Sequence, residues 1–252
     1  MKKLLLIVFV TGSILPVLAQ VKKSSLPAKG NTHMKAYEQA MQCGDANMAS
    51  IALNYYIAEQ GYNTVYADTL AMLYLQQGAY MPAYYWANKR LEIKKDDAAL
   101  LEIKGMSLDK MGRPREAIEL FEKLFTTTNN PFHAYKLMEL QYSIKRLAEC
   151  LATAQRAEKL PYKPEYMVTY AAGEYTGRTY LQAGVYNIYG LVLYDLDKKA
   201  EAKNYFEKAL ALDSTFQLAK QNLETLQALS LLPGKGLPVT TGAQSSPAKL
   251  EN

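Results

Sequence analysis

The run LLEIKGMSLDKMGRPREAIELFEKLF, residues 100–125, reads as two helices and the turn between them. Leu101, Gly105 and Leu108 recur at three- and four-residue steps and mark one face of a first helix. Ala117, Phe121 and Leu124 mark the matching face of a second, and Gly112, Arg113 and Pro114 make the turn. The small residues have a physical role. Antiparallel helices approach closely only where a side chain is nearly absent, and Phe121 fills the adjoining space.

The pattern repeats. Gly44, Gly78 and Gly112 are equally spaced, and the same interval separates Ala49, Ala83 and Ala117, and Tyr74, Leu108 and Tyr142. A fixed interval of this size is the signature of stacked supersecondary units. The run VYNIYGLVLYDLDKKAEAKNYFEKALALDSTF, residues 185–216, supplies another copy with Tyr186, Gly190, Leu193, Ala202, Phe206 and Ala209. This resembles the tetratricopeptide repeat, in which W-x2-L-G-x2-Y is followed by Ala, Phe and Pro within a unit of about 34 residues. Tyr186 stands for the Trp and Leu193 for the Tyr. The resemblance implies an all-α fold, a right-handed α-α superhelix of stacked helix-turn-helix repeats.

On that phasing the array spans residues 31–232, with copies at about 30–63, 64–97, 98–131, 132–164 and 183–216. Leu70, Ala71, Tyr74, Gly78 and Ala83 carry the second copy. The first has Tyr37 where a small residue is expected. The fourth has Glu139 there, and its second helix uses Cys150, Ala154 and Ala157, one residue out of register. Leu218, Leu223, Leu226 and Leu229 give residues 216–232 the spacing of a closing helix, which an array needs to cover its last exposed face.

The chain begins MKKLLLIVFVTGSILPVLAQ. A positive start, a short apolar run and Val17-Leu18-Ala19 form the three parts of a signal peptide at 1–19. The run is broken by Thr11, Gly12, Ser13 and Pro16, so it falls short of the roughly 20 apolar residues of a spanning helix. The first cysteine is Cys43, so no lipoprotein anchor is expected; the expected location is periplasmic or extracellular. Residues 20–30 read as a linker and 233–252, rich in Pro, Gly, Ser and Thr, as a disordered tail. Net charge falls from +5 to +3 when Lys2 and Lys3 leave with the leader. Such an excess does not mark a nucleic-acid partner.

Chemistry finds little foothold. His33 and His133 are separated by about three repeats, and neighbouring helices pack roughly 8–10 Å from one another. They cannot share a metal or substrate, and both are expected to be partly exposed. Cys43 and Cys150 fail the same distance test, since a disulfide needs Cα atoms within about 7 Å. Each is expected to remain a buried small apolar residue, with an intermolecular bridge through Cys43 left open. The acidic pairs Asp96-Asp97 and Glu116 with Glu119 read as solvated helix ends and faces. PGKG at 233–236 lacks both the spacing and the strand of a phosphate loop. No catalytic set, cofactor or metal site is expected.

The resemblance implies a non-catalytic protein-interaction scaffold whose first helices line a concave groove. Carried over by position, the groove candidates are Asp68, Met72, Glu102, Met106, Lys136, Leu140, Asn187 and Leu191. They suit a protein or peptide partner, in the cell envelope. The family's carboxylate clamp needs Asn where this chain has Leu140. Two other readings are a small-ligand or glycan-binding module using exposed tyrosines, and an accessory subunit of an envelope assembly. MPAYYWANKR, residues 81–90, holds the single Trp; three adjacent aromatics cannot share one helix face, so at least one of Tyr84, Tyr85 and Trp86 should be accessible.

One stretch departs from the pattern. The interval from Leu108 to Leu193 exceeds two full repeats by half of another, and the surplus falls at 165–182. Tyr162, Tyr166 and Tyr170 stand four apart, which permits a short helix. Pro164 interrupts that stripe, and Gly173 and Gly177 each cost a helix about 1 kcal/mol. YMVTY and YTGRTYL are aromatic and β-branched runs, so a β-hairpin is expected, with Tyr166, Val168 and Tyr170 to one side. Its candidate contact residues are Tyr166, Tyr170, Tyr175 and Tyr180, and its tyrosines should pack over the fourth and last repeats.

Overall fold

The computed structural model describes residues 31–230. The expected leader, linker and tail, and the last two residues of the closing helix, lie outside the described residues. Within them are α1 (Thr32–Cys43), α2 (Ala46–Gln60), α3 (Val65–Gln76), α4 (Tyr80–Leu91), α5 (Ala98–Lys110), α6 (Pro114–Thr128), α7 (Pro131–Ser143) and α8 (Leu147–Ala157). The strands β1 (Met167–Ala172) and β2 (Tyr175–Tyr180) come next, then α9 (Leu181–Asp195), α10 (Lys199–Leu212) and α11 (Gln217–Ser230). Helices pack in consecutive pairs from α1–α2 to α9–α10, and α11 closes against α10 and α9. Asn31, Asp45, Thr64, Asp97 and Asn130 start five of the helices, each side chain accepting from first-turn amides that lack a helical partner.

The recurrent glycines are turn residues. Gly44, Gly78 and Gly112 take φ of +71°, +73° and +73°. The next amide donates back across the helix end, Ala79 to the Tyr74 carbonyl and Arg113 to that of Leu108, both at 2.9 Å. Lys145 (φ +60°) and Asp197 (φ +58°) hold the same left-handed place without glycine. There Arg146 donates to Gln141 at 2.9 Å and Lys198 to Leu193 at 2.8 Å. This turn corrects the phase of the fourth pair. Its equivalent of Leu108 is Gln141 rather than Tyr142, so the step is one residue shorter than those before it. The place of Gly105 falls accordingly on Met138 rather than Glu139.

The paired helices meet as the small residues require. A Cβ on Gly105 would lie 2.9 Å from Phe121 Cε2, and one on Gly190 only 2.5 Å from Phe206 Cε1. In the second pair the equivalent residues are Ala71 and Ala87, both fully buried. In the fourth pair the sizes are exchanged, with Met138 on the first helix and Ala154 on the second.

Residues 165–182 hold a hairpin, as the β-branched runs predict. The strands pair antiparallel from Met167 with Tyr180 to Ala172 with Tyr175. Gly173 and Glu174 form a two-residue loop in which Gly173 alone has positive φ (+65°), the pattern of a type II′ turn. Tyr166, Val168 and Tyr170 fall to one side, as expected, but burial is two-sided: Val168 and Tyr170 are buried on that face, Thr169 and Ala171 on the other. Val168 and Tyr135 of α7 both close over Gly184 of α9. Tyr170 lies 4.7 Å from the Phe216 ring, and its hydroxyl accepts from the Gln217 amide at 3.1 Å. The hairpin thus packs against the fourth and last repeats and the start of α11.

His133 is buried, against the expectation of partial exposure; its ring nitrogens lie 3.1 Å from Glu102 and 2.8 Å from Thr128. The α7 helix is sunk along almost its whole length, and the histidine sits in its first turn. Both thiols are free. Cys150 is buried as expected, and burial pushes its thiol up to about 12, whereas Cys43 is exposed, against the expectation, because it ends α1 beside the Gly44 turn.

Two outcomes follow. Gly190→Ala gains up to about 1 kcal/mol of helix propensity but forces a rigid ring to move, an overpacking cost of about 1–3 kcal/mol. A net loss of about 1–2 kcal/mol is expected in urea unfolding, reversed by adding Phe206→Leu. A thiol reagent should modify one cysteine per folded chain and two after unfolding.

Candidate interaction face

The inner-face positions come from the first helix of each pair, and the structure divides them. Asp68 and Met72 of α3 and Glu102 of α5 are half-buried. Met106, Lys136, Leu140, Asn187 and Leu191 are buried, so the expected groove does not run open through the last repeats. Two of these positions also shift. With the fourth pair one residue earlier in phase, the counterparts of Glu102 and Met106 are Tyr135 and Glu139 rather than Lys136 and Leu140; both are buried as well.

Polar groups along this face are spent on joining repeats. Glu102 meets His133 at 3.1 Å, and Asp109 meets Lys136 at 3.3 Å, both between the third and fourth pairs. Lys136 also holds Glu139 at 2.8 Å, and Asn222 of α11 donates to Asn187 at 2.9 Å. Burial works against the Lys136 charge, yet the carboxylates of Glu139 and Asp109 outweigh it and hold its pKa above the ordinary lysine value. Burial, with Glu139 beside it, pushes the Tyr135 hydroxyl well above its usual range. In the second pair Asp68 is held by the buried Arg90 and by Lys94, the latter at 2.8 Å. Met72 is the half-buried apolar position left on this face.

Of the hairpin tyrosines, Tyr166, Tyr175 and Tyr180 are exposed and Tyr170 is core. The Leu181 amide donates to the Tyr166 carbonyl at 2.8 Å, one pair beyond Met167–Tyr180. Hydrogen-bonded pairs alternate in an antiparallel ladder, so the main-chain groups of Thr176, Arg178 and Tyr180 point away from β1. Side chains alternate too. Tyr166 and Tyr175 sit at opposite ends of one face with buried Val168 and Tyr170 between them, and Tyr180 lies on the other face. The three exposed rings form no common stacking platform.

Elsewhere Tyr85 is exposed while Tyr84 and Trp86 are half-buried, as three adjacent aromatics on one helix require. An open groove of about 600 Å³ lies at the turns of the third and fourth pairs, lined by Gly112, Arg113, Pro114, Glu116, Ile144 and Arg146 among others. The sequence reading missed the outer face of α2, where Met48, Ile51 and Tyr55 are all exposed. Its signal was legible: α2 carries one charged residue, Glu59, in 15. Among the described residues no group of three or more His, Cys, Asp or Glu could hold a metal. No described helix is long and apolar enough to cross a membrane.

Helix pairs stacked in one direction with a closing helix make an α-α solenoid. The tetratricopeptide repeat profile matches residues 183–216, the fifth copy. MamA from Desulfovibrio magneticus RS-1 superposes with a TM-score of 0.60 at 15% identity, covering 73% of this chain and 94% of that one. Another MamA structure gives 0.59 at 17% identity, covering 72% and 90%. YrrB, described as a TPR protein with an unusual peptide-binding site, gives 0.60 at 12% identity, covering 83% and 96%. At these identities the likeness is one of fold. No curated protein matches the chain. The chain has the tetratricopeptide-repeat fold, and its fifth copy matches that family in sequence.

Substitutions in the hairpin should separate core from surface. Tyr170→Ala should cost about 3–5 kcal/mol of unfolding free energy as a large buried ring is lost. Tyr170→Phe, losing only the hydroxyl's bonds, should cost about 1 kcal/mol. Tyr175→Ala, at an exposed site, should change stability by less than about 0.5 kcal/mol.

Proposed function

We propose that this protein is a non-catalytic interaction scaffold of the cell envelope that holds a partner protein or peptide along the accessible, amino-terminal part of its inner face. The observation that carries this reading is the division of that face. In the last repeats its residues are buried, while on α3 and α5 Asp68, Met72 and Glu102 are half-exposed, the two acids held by Arg90 and Lys94 and by His133. An apolar centre with a polar rim is the anatomy of a protein contact. The array is rigid there because Arg90 and Lys94 anchor Asp68, so a partner meets a preformed surface, at a smaller ordering cost. YrrB, which shares the fold, is described as having a peptide-binding site. The envelope location rests on the leader at 1–19.

Two measurements test this. The chain recovered from an envelope fraction should begin at Gln20 by amino-terminal sequencing; an intact Met1 overturns the location. A protein captured by the wild type from envelope extract should be lost with Met72→Glu while helical content and melting stay unchanged. Capture that survives the substitution overturns the inner-face reading. Retention on a glycan array with no protein captured overturns the scaffold.

A further inference from the structure

The repeat allows one surface position to be compared with itself along the array. On the outer face of the second helices, Glu116, Glu119 and Lys123 of the third pair are exposed and charged. One repeat earlier the same places hold Pro82, Tyr85 and Lys89; two repeats earlier they hold Met48, Ile51 and Tyr55. Those last three are 48%, 50% and 59% exposed, and Met81 and Tyr85 on α4 are 64% and 52% exposed. A solvated outer face is charged, as α6 shows. The outer face of the first pair is apolar and stands in a row at helical spacing. Contiguous exposed apolar surface of this kind marks a contact with another macromolecule.

Charge and area identify the occupant. The single ionisable side chain of α2 that carries charge at neutral pH, Glu59, is engaged by His33 at 3.0 Å and by Asn31 at 3.2 Å. Within α2 the stripe therefore presents no cation to an anionic lipid surface, and beside it on α4 Lys89 is engaged by Glu92 at 3.0 Å. Met48, Ile51 and Tyr55 themselves present nothing that repels their own copies. Five large side chains, each about half exposed, offer roughly 100 Å² apiece. One copy supplies about 500 Å², and two together reach the ~1,000 Å² at which a specific interface begins.

We propose that the protein self-associates as a two-fold dimer through the outer face of α2, with Met81 and Tyr85 of α4 widening the contact. A two-fold axis crossing the stripe sets the two α2 helices antiparallel, with Ile51 near the axis. Met48 of each copy then lies against Tyr55 of the other, a sulfur–aromatic contact. The two Glu59 carboxylates fall at opposite ends of the contact and do not face each other. Cys43 precedes α2 at its amino-terminal end, so the two Cys43 thiols are also held apart and the dimer needs no disulfide. The inner face is left free on each copy.

The test uses residues 20–252, so that the apolar leader takes no part, in reducing buffer. Light scattering behind gel filtration should give a dimer mass. Ile51→Glu and Tyr55→Glu should each weaken the dimer by about tenfold or more with helical content unchanged, since both side chains are surface residues. Ile51→Cys in a Cys43→Ser background should oxidise to a covalent dimer, a readout that needs no disruptive substitution. A monomeric wild type, a dimer indifferent to both glutamates, or an Ile51→Cys chain that forms no covalent dimer overturns the proposal.

Discussion

The distance at which the two helices of a pair cross governs the rest of the molecule. At Gly190 the ring of Phe206 occupies the volume a Cβ would need, and at Gly105 the ring of Phe121 does the same. Close crossing brings the flanking leucines of both helices into one continuous core and fixes the direction in which the next pair must stack. The chemistry at the crossing is not fixed. Gly with Phe, Ala with Ala, and Met with Ala all occur, with the larger residue on either helix. What persists along this chain is the close fit across the contact. Gly with Phe and Met with Ala exchange sizes between the two helices, while Ala with Ala keeps both small, so the neighbouring side chains must complete the packing there.

That distinction explains what could be read from the sequence and what could not. The interval was legible wherever a glycine marked the left-handed turn, and the first three turns share it. In the fourth, Lys145 holds the same conformation without announcing it, so the spacing of Tyr142 suggested a phase one residue too late. The consequence is large because a one-residue error rotates a helix by about 100°. It moved the inner-face assignment from Tyr135 and Glu139 onto Lys136 and Leu140. The burial of His133 was missed for a related reason: helix entries in an array are exposed unless the neighbouring pair covers them, and periodicity within one repeat carries no information about that cover.

The hairpin was legible as a departure but not as a core element. Sequence alone shows two β-branched runs and a glycine between them, and a two-stranded sheet is marginal by itself. Its stability is tertiary. Tyr170 reaches Phe216 and the Gln217 amide at the start of the closing helix, 47 residues away in sequence for the amide, and Val168 and Tyr135 each close over Gly184. Such contacts leave no periodic trace. The insert therefore behaves as packing on the last pair and the closing helix as much as ornament on them.

Taken along its length, the array changes character. Towards the carboxyl end the first helices are sunk and their polar groups pair with one another, with Lys136 between two carboxylates and Asn187 bonded to the closing helix. Buried pairs of this kind add little net stability against an apolar alternative, yet breaking one is costly, so they specify how neighbouring repeats register. Towards the amino end there is no capping helix among the described residues, the inner face opens at Met72, and the outer face of α2 is apolar. The most deeply buried first helices and the most accessible surface are thus placed at opposite ends of one solenoid. Because each repeat touches only its neighbours, the register locked at the carboxyl end passes pair by pair to the open end, where it presents a surface that keeps its shape before anything binds it.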